Sequence, residues 1–144
     1  MNGAGAGNVP RKTAPTRSER CPEPPPKELL YGIEQFNLQL YWEQHETLES
    51  IWIKEPDPIR YLYQGILQVG VGLYHWRRGN WHGATTKLAQ GLGKLQPFRP
   101  ACMSVDVERL CAETQQLLSL LERRGPGDLA PFPEAAPRVH VIRA

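Results

Sequence analysis

The chain has no apolar run of bilayer-spanning length and no hydrophobic N-terminal stretch of the secretory kind, which excludes a helical membrane anchor and makes a cytoplasmic location the expectation. Cysteine is scarce. Cys21, Cys102 and Cys111 are odd in number and form no C-x-x-C pair, a pattern that fits a reducing compartment and argues against a thiolate zinc site. Excess positive charge is missing from the central part: residues 27–124 hold eleven basic and eleven acidic side chains, so the formal +2 comes from the N-terminal end. A nucleic-acid binder would concentrate cations on its folded surface, because phosphate neutralisation supplies most of the affinity. Arg77 and Arg78 stand instead just before Gly79, where cations complement the free carbonyls of a helix end. There is also no phosphate loop, dinucleotide fingerprint or nucleophile motif, and no strand alternation except in the short RVHVI segment, 138–142.

What is present is helical. Residues 1–26 are rich in Gly, Pro and charge and read as a disordered leader, since they offer almost nothing to offset the entropy of ordering. Residues 27–124 read as one all-α domain and 125–144 as a Pro-rich C-terminal tail, either docked on the domain or paired with another chain. Leu29, Leu30, Ile33 and Phe36 recur at helical spacing after Pro26. Asp57-Pro58 starts a long helix whose apolar stripe is Leu62, Ile66, Val69, Leu73 and Trp76. Gly79-Asn80 makes the next turn, Asn80 capping a helix that stops at Pro97, and Ser104 caps a last one ended by Arg123, Arg124 and Gly125.

A shift of forty residues superposes Gly32 on Gly72, Phe36 on Trp76, Tyr41 on Trp81, Leu48 on Leu88, and Gln39 on the turn glycine Gly79. This predicts a break at Gln39 and a compact helical bundle of about five helices, two helical hairpins in tandem plus a closing C-terminal helix. On the second helix, Tyr41, His45, Leu48 and Trp52 share one stripe, with Trp42 and Glu49 beside it and Glu43 and Glu46 near. Gln64, Gln68, Val71 and His75 share a face of the third, with Gly65 and Gly72 allowing close approach of a neighbouring backbone. The expectation is a polar cluster of Glu43, His45, Glu46, Glu49, Gln64, Gln68 and His75 between the two helices, satisfied by internal hydrogen bonds.

The stretches FNLQLYWEQHETLESIW (36–52), YLYQGILQVGVGLYHWRRGN (61–80), the GA of HGATTKL (82–88) and SVDVERL (104–110) together resemble the family catalogued as domain of unknown function 309. The resemblance implies a compact all-helical fold, found mostly in bacteria and archaea, with no assigned biochemical activity. Its pattern includes Asn37, Trp42-Glu43, His45-Glu46, Glu49, Trp52, Gln64, Gln68, His75 and Gly79-Asn80, and places glycine where this chain has Gln39.

Three functional readings compete. His45, Glu46 and Glu49 form H-E-x-x-E, one residue away from the zinc-peptidase helix, so His45 and Glu49 with His75 are the candidate ligands of a divalent metal in a hydrolase-like enzyme. No E-x-x-H pair accompanies them, which disfavours a di-iron bundle, and His82 reads as a surface residue. A carboxylate among Trp42, Trp52 and His45 is also what metal-free proton transfer would need. A hydrogen-bonded network that fixes helix register requires neither, and non-catalytic binding or scaffolding is the leading function. Its partner is then a protein, a peptide or a second copy of the chain, with no membrane or nucleic acid indicated.

Overall fold

The structure, a computed structural model, describes residues 14–142. Five helices follow in chain order, α1 (Lys27–Asn37), α2 (Tyr41–Trp52), α3 (Arg60–Arg77), α4 (Trp81–Leu95) and α5 (Val107–Arg124). A small antiparallel pair, β1 (Ala101–Cys102) with β2 (Val105–Asp106), precedes α5 and was not expected from residues so few and so unpatterned. Each helix packs on the next in sequence, as short connections require. Leu29, Phe36, Leu48, Leu62, Ile66, Leu73, Leu88, Leu95, Leu110 and Leu121 fill the interior between them.

The break at Gln39 is present, with φ 62° against φ 80° at Gly79. Gln39 N–H donates to Phe36 O and Leu40 N–H to Gln35 O, each at 2.9 Å, while Gly79 N–H donates to Trp76 O at 2.9 Å and Asn80 N–H to His75 O at 2.8 Å. Both turns are thus the paired-bond motif that ends a helix on a left-handed residue. Carrying a side chain there costs Gln39 about 1 kcal/mol, and the Arg77 guanidinium donating to Gln39 O at 3.0 Å helps to hold it. Packing follows the same offset: a Cβ on Gly32 would run into Leu48, and one on Gly72 into Leu88.

Asn80 caps α4 as expected, its Oδ1 accepting from Gly83 N–H at 2.9 Å. Asp106, not Ser104, caps α5, accepting from Arg109 N–H at 3.0 Å, because Ser104 is taken up in the β1–β2 turn at φ 63°. Asp57 accepts from Ile59 N–H at 2.8 Å, and α3 begins two residues beyond Pro58. The close approach expected of Gly65 and Gly72 is toward α4, where a Cβ on Gly65 would meet Leu95 and the carbonyl of Gly91.

Both ends of the described chain lie on the helices. Residues 14–26, expected as part of a disordered leader, are anchored: Ser18 Oγ donates to Asp57 at 2.6 Å, Arg20 pairs with Glu55 at 3.1 Å, and Cys21 is bonded to Cys102. Counting apolar side chains missed this because the anchors are polar or covalent, and residues 1–13 fall outside the described residues. The disulfide closes 81 residues of sequence, a separation at which no spacing rule announces a pair, and it is at odds with the reducing compartment expected for three free thiols. Beyond α5, the chain returns across the helices without a helix of its own, burying Ala130 and Val139 and ending in a bridge between Val105 and Val141. Among the described residues no helix is long and apolar enough to cross a membrane.

Candidate functional site

The antiparallel packing of α2 on α3, with α4 beside them, leaves a cleft of about 180 Å³ lined by His45, Glu49, Trp52, Gln64, Leu67, Gln68, Val71 and Lys87. Helical spacing places the first three one turn apart on α2. Four members of the expected cluster, His45, Glu49, Gln64 and Gln68, therefore meet. Glu43 and Glu46 do not, being exposed on the outer side of α2, because the 3.6-residue period turns them away from the His45 stripe. His75 does not either: it sits at the other end of α3, its Nδ1 3.4 Å from the Asn80 amide nitrogen, with Gly83 against its ring.

The network expected between α2 and α3 is not closed. Gln68 reaches toward α4, its amide nitrogen 3.5 Å from Gln90 and its oxygen 3.4 Å from the Lys94 ammonium. His45 Nε2 stands 3.8 Å from Glu49, within ion-pair reach but beyond hydrogen-bond length. Among the described residues, the buried His45 Nδ1 and Trp52 Nε1 have no partner. The polar group that does join these helices is one that sequence reasoning passed over. Gln44, fully buried, donates from Nε2 to Leu67 O at 3.1 Å and lies so close over Gly70 that any Cβ there would collide with its amide. Gly70, standing alone on a face otherwise apolar, was the available signal.

The three residues named as metal ligands, His45, Glu49 and His75, are not brought together. Among the described residues no three His, Cys, Asp or Glu side chains are grouped so as to hold an ion, and His75 lies away from the cleft that His45 and Glu49 share. Burial holds His75 below its ordinary value of 6.5, with the nearby Lys87 charge acting in the same direction. Burial pushes the Cys111 thiol up to about 11, which disfavours its thiolate. His82 is exposed, as expected.

Outside the cleft, Trp42 is half exposed and stacks on His45 with centroids 5.1 Å apart, and the Tyr74 ring lies tilted 5.7 Å from that of Trp42. A second polar feature stands on the opposite flank, at the end of α1. Asn37 Nδ2 donates to Val139 O at 2.9 Å while its Oδ1 accepts from Val139 N–H at 2.8 Å, and Trp76 Nε1 donates to Ala130 O at 2.7 Å. Asn37 and Trp76 were singled out in sequence only as pattern and core residues, because nothing local links them to a segment about a hundred positions or fifty positions away.

Fold and site define a small, largely helical domain with a polar cleft among α2, α3 and α4 and a groove filled by its own chain. Residues 29–86 match the model of the family described as "Domain of unknown function (DUF309)", the family that the motifs resemble; the match includes the stretches at 36–52, 61–80 and 82–86 and stops before SVDVERL (104–110). The uncharacterized protein YpuF of Bacillus subtilis (strain 168) is 36% identical over 93 residues, covering 64% of this chain and 51% of the relative. The chain thus spans about half the length of that relative. No solved structure matches.

Proposed function

We propose that the chain is a non-catalytic binding module in which two helical hairpins in tandem, α1–α2 and α3–α4, closed by α5, hold a cleft for a small polar molecule. The tandem reading rests on the two turns of matching hydrogen bonds at Gln39 and Gly79 and on the forty-residue offset between the Gly32–Leu48 and Gly72–Leu88 contacts. One observation carries the binding reading: Trp52 Nε1, a group that can only donate, is buried beside the cleft without an acceptor. Leaving such a donor unmet costs about 1–3 kcal/mol, and because Nε1 has almost no exposed surface, a bound molecule would recover that cost by drawing the Trp52 ring toward one of its acceptor oxygens. Lys87 supplies positive charge to the lining, Glu49 negative charge, and Leu67 and Val71 an apolar floor. That combination suits a small molecule with an anionic group and a short apolar body.

The test is thermal melting of the full chain in the presence of glutamate, succinate or inorganic phosphate, beside the Trp52→Phe variant, which keeps an aromatic ring and deletes the N–H. At least one probe should raise the melting temperature of the native chain and lose that effect in the variant. No shift with any of the three, or equal shifts in both proteins, would overturn the reading.

A further inference from the structure

The segment after α5 is held as a ligand would be held. From residue 126 to 140 it contributes no helix or strand, yet it is tied down at both ends by groups that address its backbone. Asn37 takes both the N–H and the C=O of Val139, and Trp76 donates to the carbonyl of Ala130. An asparagine amide aligned on one residue's main chain accepts any side chain there except proline, which lacks the N–H. Between these ties is a side-chain anchor. The Phe132 ring, flanked by Pro131 and Pro133, meets Trp76 edge-on at 5.8 Å and Tyr41 at 6.4 Å, with the Arg77 guanidinium 4.9 Å over Tyr41 and 6.0 Å over Phe132. Prolines on either side keep such a segment extended before it docks, which lowers the entropy lost on binding.

Groove and occupant also differ in where they fall along the chain. Asn37, Tyr41, Trp76 and Arg77 all lie within residues 29–86, the segment that matches the family model, whereas 130–139 lies outside it. The groove residues thus fall within the matched segment, and the peptide falls C-terminal to it. We infer that the surface formed by Asn37, Tyr41, Trp76 and Arg77 is a peptide-binding groove for extended protein segments carrying an aromatic residue between prolines. Residues 130–139 fill it in cis, so a partner segment of the same chemistry must displace them. Backbone bonds from Asn37 and Trp76 supply affinity and the Phe132 pocket supplies specificity, the division of labour that extended-peptide recognition uses elsewhere. The cleft at His45 plays no part in this, and the two readings stand or fall separately.

The experiment uses the full chain and a fluorescein-labelled synthetic peptide of residues 127–142. Phe132→Ala should loosen the cis segment, and that variant, checked for unchanged helical circular dichroism, should bind the peptide one to one and at least about tenfold more tightly than the native chain does, a difference of about 1.4 kcal/mol. A peptide with alanine in place of its phenylalanine should lose the binding. Should Phe132→Ala fail to fold, the native chain nicked at a protease site placed at Gly127 replaces it, and its severed tail should exchange for the labelled peptide. A folded variant, or a nicked chain, that takes up no peptide would overturn the inference, as would equal binding of the two peptides. A native chain that runs as a dimer and is split by the peptide would place the tail in a second copy's groove and overturn the cis assignment.

Discussion

Asn37 and His45 stand eight residues apart on consecutive helices, and their side chains meet opposite fates. Asn37 uses both atoms of its amide on the backbone of Val139, while His45 lies beside Glu49 at 3.8 Å with Nδ1 unpartnered. The two tryptophans repeat the contrast. Trp76 donates to Ala130 O, whereas Trp52 Nε1 is buried without an acceptor. A buried polar group that is satisfied contributes to stability, and one left unsatisfied costs it. The carbonyl of Ala130 and the backbone of Val139 are thus satisfied by Trp76 and Asn37, although the buried Tyr41 hydroxyl beside Phe132 has no partner, while on the cleft side Trp52 Nε1 and His45 Nδ1 are the unpartnered groups.

The largest effect that should separate the two flanks is Asn37→Ala. It removes two hydrogen bonds and leaves the N–H and C=O of Val139, a buried residue, without partners, so urea denaturation should show a loss of about 2–4 kcal/mol. The loss should come with easier proteolysis within residues 127–142, since the tail loses its tie. A variant as stable as the native chain would mean that the tail is not held there, and the contrast with His45 would vanish.

His45→Ala should be milder. The side chain is about a quarter exposed and makes no hydrogen bond at Nδ1, so the change should stay below about 1 kcal/mol, mostly from lost stacking on Trp42. This reverses the expectation of a closed His/Glu/Gln network, in which removing one member strands the rest. A loss well above that figure in a melting experiment would restore the network and close the cleft as a candidate site.

The sequence carries the helical skeleton because periodicity, caps and turn residues act locally. The break at Gln39 was legible from its superposition on Gly79, although glutamine is a poor residue for positive φ, and Asn80 announced its cap. Partnerships at long separation were not legible. The Cys21–Cys102 bond, the Ser18–Asp57 contact and the Asn37–Val139 pair each join segments that no spacing connects. The candidate cluster was half readable for the same reason. Helical phase put His45 and Glu49 on one stripe, but which residues of α3 they would meet depends on how far along that helix α2 is set, and Gln44 seated on Gly70 fixes that offset. His75 lay on the predicted face and still ended one or more turns away from the cleft.

The smallest expected effect lies at that histidine and is a matter of pH. Burial, joined by the charge of Lys87, holds His75 below 6.5 in the folded chain, so the unfolded chain binds the proton more readily. Between 6.5 and the depressed folded value the unfolded state carries more bound protons, and stability must rise with pH across that window. Above 6.5 the ring is neutral in both states and His75 adds no slope; below the folded value it is protonated in both and the loss is complete. His75→Gln should therefore flatten this part of the curve, read as urea midpoints at successive pH values for variant and native chain, the difference between the two cancelling all other titrating groups. Lys87→Gln should narrow the window from its lower edge by removing one of the two causes. An anionic molecule bound beside Lys87 should act in the same direction without any substitution, which makes the His75 midpoint a reporter of whether the cleft is filled. A native curve that matches His75→Gln throughout would mean that the ring is solvated in the folded chain, and His75 would report nothing about the cleft.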